Sequence, residues 1–236
     1  MIDPTPLWDF DDPAGSEQRL REAAGTAEGS DRLVLLTQVA RALGLQELYD
    51  EGHAVLDDLA ASDDQVVTRV SLERGRLLRS AGLPDEARPH FEAASATALA
   101  AGLDALRIDA LHMLALVADP DDAARLHDEA LTLARRSDDP RARDWDASLL
   151  NNIGMAYADG GDFAAALASF EEALSARERI GDPARTRVAR WMVGWALRNL
   201  DRPAEALEIQ RALKAELLSV GAKDPYVDEE IALLEG

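Results

Sequence analysis

Apolar residues recur at helical spacing along most of the chain, broken at intervals by clusters of Gly, Pro and Asp. The stretch from Leu149 to Leu174 shows the unit best. Leu150, Ile153, Gly154 and Tyr157 share one helix face, and Ala166, Phe170 and Ala173 share a second, with Gly160-Gly161 as the turn between them. This predicts an antiparallel hairpin. Small Gly154 and Ala166 let the backbones approach, and Phe170 and Tyr157 fill the wedge beside them. Such a hairpin leaves apolar surface open and is stable only when stacked on further copies.

Copies are present. Ala40, Gly75, Ala115, Gly154 and Gly194 occupy equivalent positions on five first helices, at spacings of 35, 40, 39 and 40 residues. The second helices follow in register. Gly52, Leu56 and Leu59 serve the first repeat, and Ala87, Phe91 and Ala94 the second. Ala123, His127 and Ala130 serve the third. Ala206 opens the fifth, where Gln210 stands in the Phe position. The third repeat is short by about one helical turn. Asp119-Pro120 therefore predicts a shortened first helix or a tight turn there. Arg74 and Arg190 fall on packing positions, where their stems can lie along the interface while the charge reaches water. Loops are expected at Gly82–Pro84, Ser137–Pro140, Gly181–Pro183 and Asp201–Pro203. Residues 1–11 read as an extended arm pinned to the first helix by Trp8 and Phe10. That helix starts at Asp12-Pro13 and ends near Ala24, before a break at Gly25–Gly29. Pro225 opens a last helix over Tyr226–Leu234.

The residues Leu150, Ile153-Gly154, Tyr157, Ala166, Phe170 and Ala173 resemble a tetratricopeptide repeat. The family's period is about 34 residues. The longer spacing here, and Asn151-Asn152 before an apolar residue, are similar to the kinesin light chain type of array. The resemblance implies an all-α, right-handed α-solenoid of about five hairpins with N- and C-terminal capping segments. The expected division is an arm and capping helix over 1–31, the repeat array over 32–220 and a capping helix over 221–236. It also implies a protein- or peptide-binding adaptor that works through the groove lined by the first helices. In such arrays the asparagines equivalent to Asn152 face the bound peptide.

Charge narrows the class. The formal net charge is -20 and the pI about 4.5, which disfavours nucleic acid as a partner. Cysteine is absent, so disulfides, thiol catalysis and thiolate zinc sites are excluded. The start of the chain lacks a basic and apolar leader, and the longest apolar run, Ala110–Ala118, is too short to span a membrane. A cytoplasmic protein without membrane attachment is expected. No phosphate-binding Gly loop and no covalent nucleophile motif is present. His53, His90, His112 and His127 lack metal-ligand spacing, and Asp9, Asp11, Asp12 and Gly15 sit at the wrong offsets for a calcium loop. No cofactor, no metal and no enzymatic activity are expected.

Helical phase then selects candidate binding residues. Stepping about 100° per residue from each small residue brings one set to the side away from the packing face. Its members are Thr37, Arg41 and Gly44, then Arg69, Leu72, Arg76 and Arg79, then Asp109, His112 and Leu116. Asn151 and Met155 follow, with Asn152 at the edge, and then Trp191, Trp195 and Arg198. The stripe predicts recognition of carboxylates by arginine and of an apolar anchor by tryptophan. Two plainer readings stand beside it. The arginines also fit an ordinary solvated face, neutralised in part by Glu73 and Asp109. The tryptophans also fit packing beneath the C-terminal segment around Tyr226. Two other functions remain open: a homodimer built through the end repeats, and a small-molecule pocket at His112, Asp109 and Arg76.

Overall fold

The structure, a computed structural model, describes residues 2–60 and 63–236. After a short 3-10 turn at Thr5–Leu7, thirteen α-helices follow among the described residues, and no strand. They are α1 (Pro13–Thr26), α2 (Gly29–Leu45), α3 (Tyr49–Asp57), α4 (Asp64–Ser80), α5 (Pro84–Ala100), α6 (Asp104–Ala115) and α7 (Pro120–Arg136). Then come α8 (Pro140–Arg143), α9 (Asp146–Asp159), α10 (Phe163–Ile180), α11 (Pro183–Asn199), α12 (Pro203–Ser219) and α13 (Pro225–Glu235). The chain forms two compact units, one up to Ala142 and one from Arg143 onward, divided within α8.

Aspartate starts many of these helices. Asp12, Asp119, Asp182 and Asp224 each accept a backbone N–H in the first turn and are followed by Pro. Proline has no N–H to leave unsatisfied and carries a pre-set φ, so Asp-Pro fixes where a helix begins. At the other end of α10, Gly181 takes a left-handed conformation (φ 81°) and terminates the helix.

In the first unit, α2 packs on α3, α4 on α5 and α6 on α7, and of the leading helices α2 touches α4 and α4 touches α6. In the second, α9 packs on α10, α11 on α12, and α13 closes on α12 and α11. This is the hairpin stacking of an α-solenoid. The hairpin register follows the small residues. A Cβ placed on Gly154 would sit 2.5 Å from the Phe170 ring, and one on Gly75 would overlap Phe91. Both rings are fully buried. α6 spans 12 residues against 17 for α4, which accounts for the compressed third repeat. Arg74 reaches Asp57 at 2.6 Å and Arg190 reaches Glu216 at 3.0 Å, so both put their charge at the surface.

Three details differ from the expectations. Tyr157 is 45% exposed, so Phe170 alone plugs its hairpin. Tyr157 lies about one turn beyond Gly154 on the same helix. Helix α1 runs through Gly25 to Thr26, because a single glycine costs only about 1 kcal/mol in a helix. The N-terminal aromatics engage α2 as well: Trp8 packs on the core that α1 and α2 share. Trp8 Nε1–H donates to Gln38 Oε1 (3.2 Å), while the arm meets α1 through Ser16 and Arg19.

Candidate functional site

The first unit gathers a buried charge cluster on its leading helices. Arg76 of α4 donates to Glu73 at 2.6 Å and, from its other terminal nitrogen, to Asp109 of α6. Burial alone would push this guanidinium down. The two carboxylates outweigh that and hold it firmly protonated. Burial would likewise raise Asp109, yet Arg76 and Arg41 hold it below the usual carboxylate range. Arg76 is thus fully committed. Glu73 and Asp109 neutralise it as the plainer reading expects.

The remaining arginines are not neutralised in this way. Among the described residues, Arg41, Arg69 and Arg79 have no carboxylate within ion-pair distance. Arg41 of α2 is depressed first by the like charge of Arg76 and then by its own burial. Arg69 is depressed by burial, and its Nε finds no acceptor. Arg79 is exposed. Arg41, Arg76 and Arg79 line one cleft of about 180 Å3 with Glu73, Gly44, Leu45, Leu77, Ser80 and Met113. Three guanidiniums, Arg41, Arg76 and Arg79, therefore share this cleft with one lining carboxylate, Glu73. Two other members of the stripe, Thr37 and Leu72, are buried and belong to the core.

Aromatic rings flank the cluster. Trp8 and Phe10 stack at 4.9 Å, and the Arg41 guanidinium lies 5.7 Å from each ring centroid. Sequence periodicity missed this contact, because an extended arm has no phase to read. His112 of α6 is half-buried and faces His127 of α7, with ring centroids 5.9 Å apart. Burial pulls His112 down to about 4 against the opposing pull of Asp109. Burial lowers His127 as well.

In the second unit, Asn151, Asn152 and Met155 are half-buried on α9, and Met155 packs on the core around Phe170. Trp191 and Trp195 stack at 6.3 Å on α11. Neither is a bare surface ring. Trp195 meets Phe163 edge-on at 5.4 Å, and Trp191 meets Tyr226 of α13 at 6.3 Å. Arg198 grips Glu230 of α13 through two hydrogen bonds of 2.8 and 2.9 Å. The C-terminal helix thus covers Trp191 and occupies Arg198. Trp191, one of the two expected anchor residues, is engaged by the chain itself.

Residues 145–213 match the profile of the tetratricopeptide repeat family. No curated protein sequence matches the chain. Several solved structures share the fold. BtubC (BKLC) from P. vanneervenii is 19% identical, with a TM-score of 0.63 over 95% of each chain. The putative kinesin light chain TPR-like repeats of P. anserina are 16% identical, with a TM-score of 0.59 over 80% of this chain and 96% of that one. The apo quorum sensor NprR from B. thuringiensis is 13% identical, with a TM-score of 0.64 over 96% of this chain and 64% of that one. With its hairpins plugged by Phe91 and Phe170 against Gly75 and Gly154, the chain has the fold of these tetratricopeptide-like solenoids, and its residues 145–213 carry the tetratricopeptide repeat profile.

Proposed function

We propose that the chain is a non-catalytic binding module that takes an acidic protein or peptide segment on the leading helices α2, α4 and α6 of its first unit. One observation carries the reading. Arg41 and Arg79 line one cleft with a saturated Arg76, without carboxylate partners of their own, and Arg69 on the same helix α4 feels the Arg76 charge, in a chain of net charge -20. Arg74, Arg190 and Arg198, by contrast, each reach a carboxylate. Partly buried guanidiniums in a concave site focus potential and favour forked contact with carboxylates. Leu45, 49% exposed, and Met113 edge the cleft and suit an apolar residue next to the acid. A structural neighbour, NprR, is known in complex with its cognate peptide NprX, which supports a peptide as the partner class.

The test is fluorescence anisotropy of a labelled Asp- and Glu-rich peptide against wild type and Arg79→Glu. Arg79 is exposed, so its reversal leaves the fold intact. Affinity should fall about tenfold, in line with one charge-assisted hydrogen bond, and wild-type binding should weaken as salt rises. Equal affinity for the two proteins would remove this wall as the site.

A further inference from the structure

The second unit contains a different cleft, formed between α9, the C-terminal half of α10 and the start of α11. Its volume is about 220 Å3, and Ala147, Ala173 and Ala189 form its walls with Asn151, Arg177, Arg185 and Val188. The three alanines are buried and small, so the polar groups reach the opening unobstructed. Arg177 donates from Nη2 to Ser148 Oγ at 2.8 Å. Among the described residues, no carboxylate lies within ion-pair distance of it. Arg185 holds Asp182 at a loose 3.4 Å, and its side chain is 59% exposed. The Asn151 side chain makes no hydrogen bond among the described residues, and Val188 is an exposed apolar residue on the rim.

We propose that this cleft binds a phosphoryl-type tetrahedral oxyanion, held by Arg177, Arg185 and Asn151. Two guanidiniums and an amide approach the opening from three helices. A flat carboxylate is satisfied along one guanidinium edge and leaves the other donors idle. A phosphoryl group carries up to about two negative charges and three acceptor oxygens, and so answers both arginines and the amide together. Arg177 itself is depressed first by burial and then by the Arg185 charge, against the opposing pull of Asp182, Asp146 and Asp144, and a dianion between the two guanidiniums offsets their mutual repulsion. This site lies in the other unit from the acidic-segment wall and does not depend on it. The oxyanion is either free in solution or part of a modified side chain on a partner. Val188 on the rim offers such a partner an apolar neighbour.

Isothermal titration of the full chain with inorganic phosphate, a phosphoserine peptide, and the same peptide carrying aspartate at that position tests the site. Phosphate or the phosphopeptide should bind saturably. Arg185→Ala and Asn151→Ala should each weaken binding about tenfold, with unchanged circular dichroism and melting temperature. Arg177→Lys, which keeps the charge but loses the fork, should weaken it as well. Phosphate as tight as the phosphopeptide identifies a free ligand, whereas a much tighter phosphopeptide identifies a modified partner. Arg79→Glu in the first unit should leave this binding unchanged, so failure here is separate from failure of the acidic-segment reading. No binding by either phosphoryl probe, equal binding by Arg185→Ala, or an aspartate peptide as tight as the phosphopeptide would overturn the proposal.

Discussion

A single position on each second helix sets how well its hairpin closes. That position holds Leu56, Phe91, His127, Phe170 and Gln210 in turn, and all five are buried. The two phenylalanines fill the space opposite a glycine, so their hairpins tolerate no added bulk there. Gly154→Ala should cost about 1–3 kcal/mol through overpacking against Phe170. Phe170→Ala should cost about 3–5 kcal/mol through the cavity it leaves. Urea unfolding reads both, and a Gly154→Ala protein as stable as wild type would contradict the close approach. Gln210 is the counter-case. It is fully buried against Gly194, and neither its Nε2 nor its Oε1 has a partner. An unsatisfied buried amide costs about 1–3 kcal/mol. Gln210→Phe, which restores the residue of the second and fourth repeats, should therefore raise the melting temperature. A lower melting temperature would show that the amide is satisfied in solution.

At the scale of elements, α6 and α7 meet across His112 and His127, and this contact gives the hairpin a pH dependence. Both imidazoles are depressed by burial in the folded chain, His112 to about 4. Unfolding frees them to titrate near their ordinary value of about 6.5. Between about 6.5 and 4 the unfolded chain then binds more protons than the folded one, so stability falls as pH falls through that window. Asp109, held low by Arg76 and Arg41, continues the loss at more acidic pH. His127→Phe should flatten the profile measured by urea unfolding. An unchanged slope would place the dependence elsewhere. Helix α13 invites a second test. It supplies Tyr226 to Trp191 and Glu230 to Arg198. A chain ending at Asp224 should show red-shifted tryptophan emission and a lower melting temperature, whereas an unchanged emission maximum would mean that α13 does not cover Trp191.

At the scale of the molecule, the hairpins were legible in the sequence and much of the candidate site was not. Small residues at regular spacing and Asp-Pro starts are local signals, and they located first and second helices from α2 to α12. The phase argument brought Arg41, Arg76 and Arg79 to one cleft. It did not show that Arg76 spends itself on Glu73 and Asp109, or that Arg198 spends itself on Glu230. Both partnerships depend on which charges meet in space. Arg177 was invisible for a related reason: it lies on a second helix, outside the groove side of the first helices. Trp8 and Phe10 reach Arg41 from an arm that has no periodicity. The central claim is that the acid-binding face is the stripe along α2, α4 and α6 of the first unit. Hydrogen exchange with and without a bound Asp- and Glu-rich peptide tests it most directly. The account predicts added protection in α2 around Arg41 and in α4 from Arg69 to Arg79. Protection confined to the second helices α3 and α5, with α2 and α4 unchanged, would contradict it.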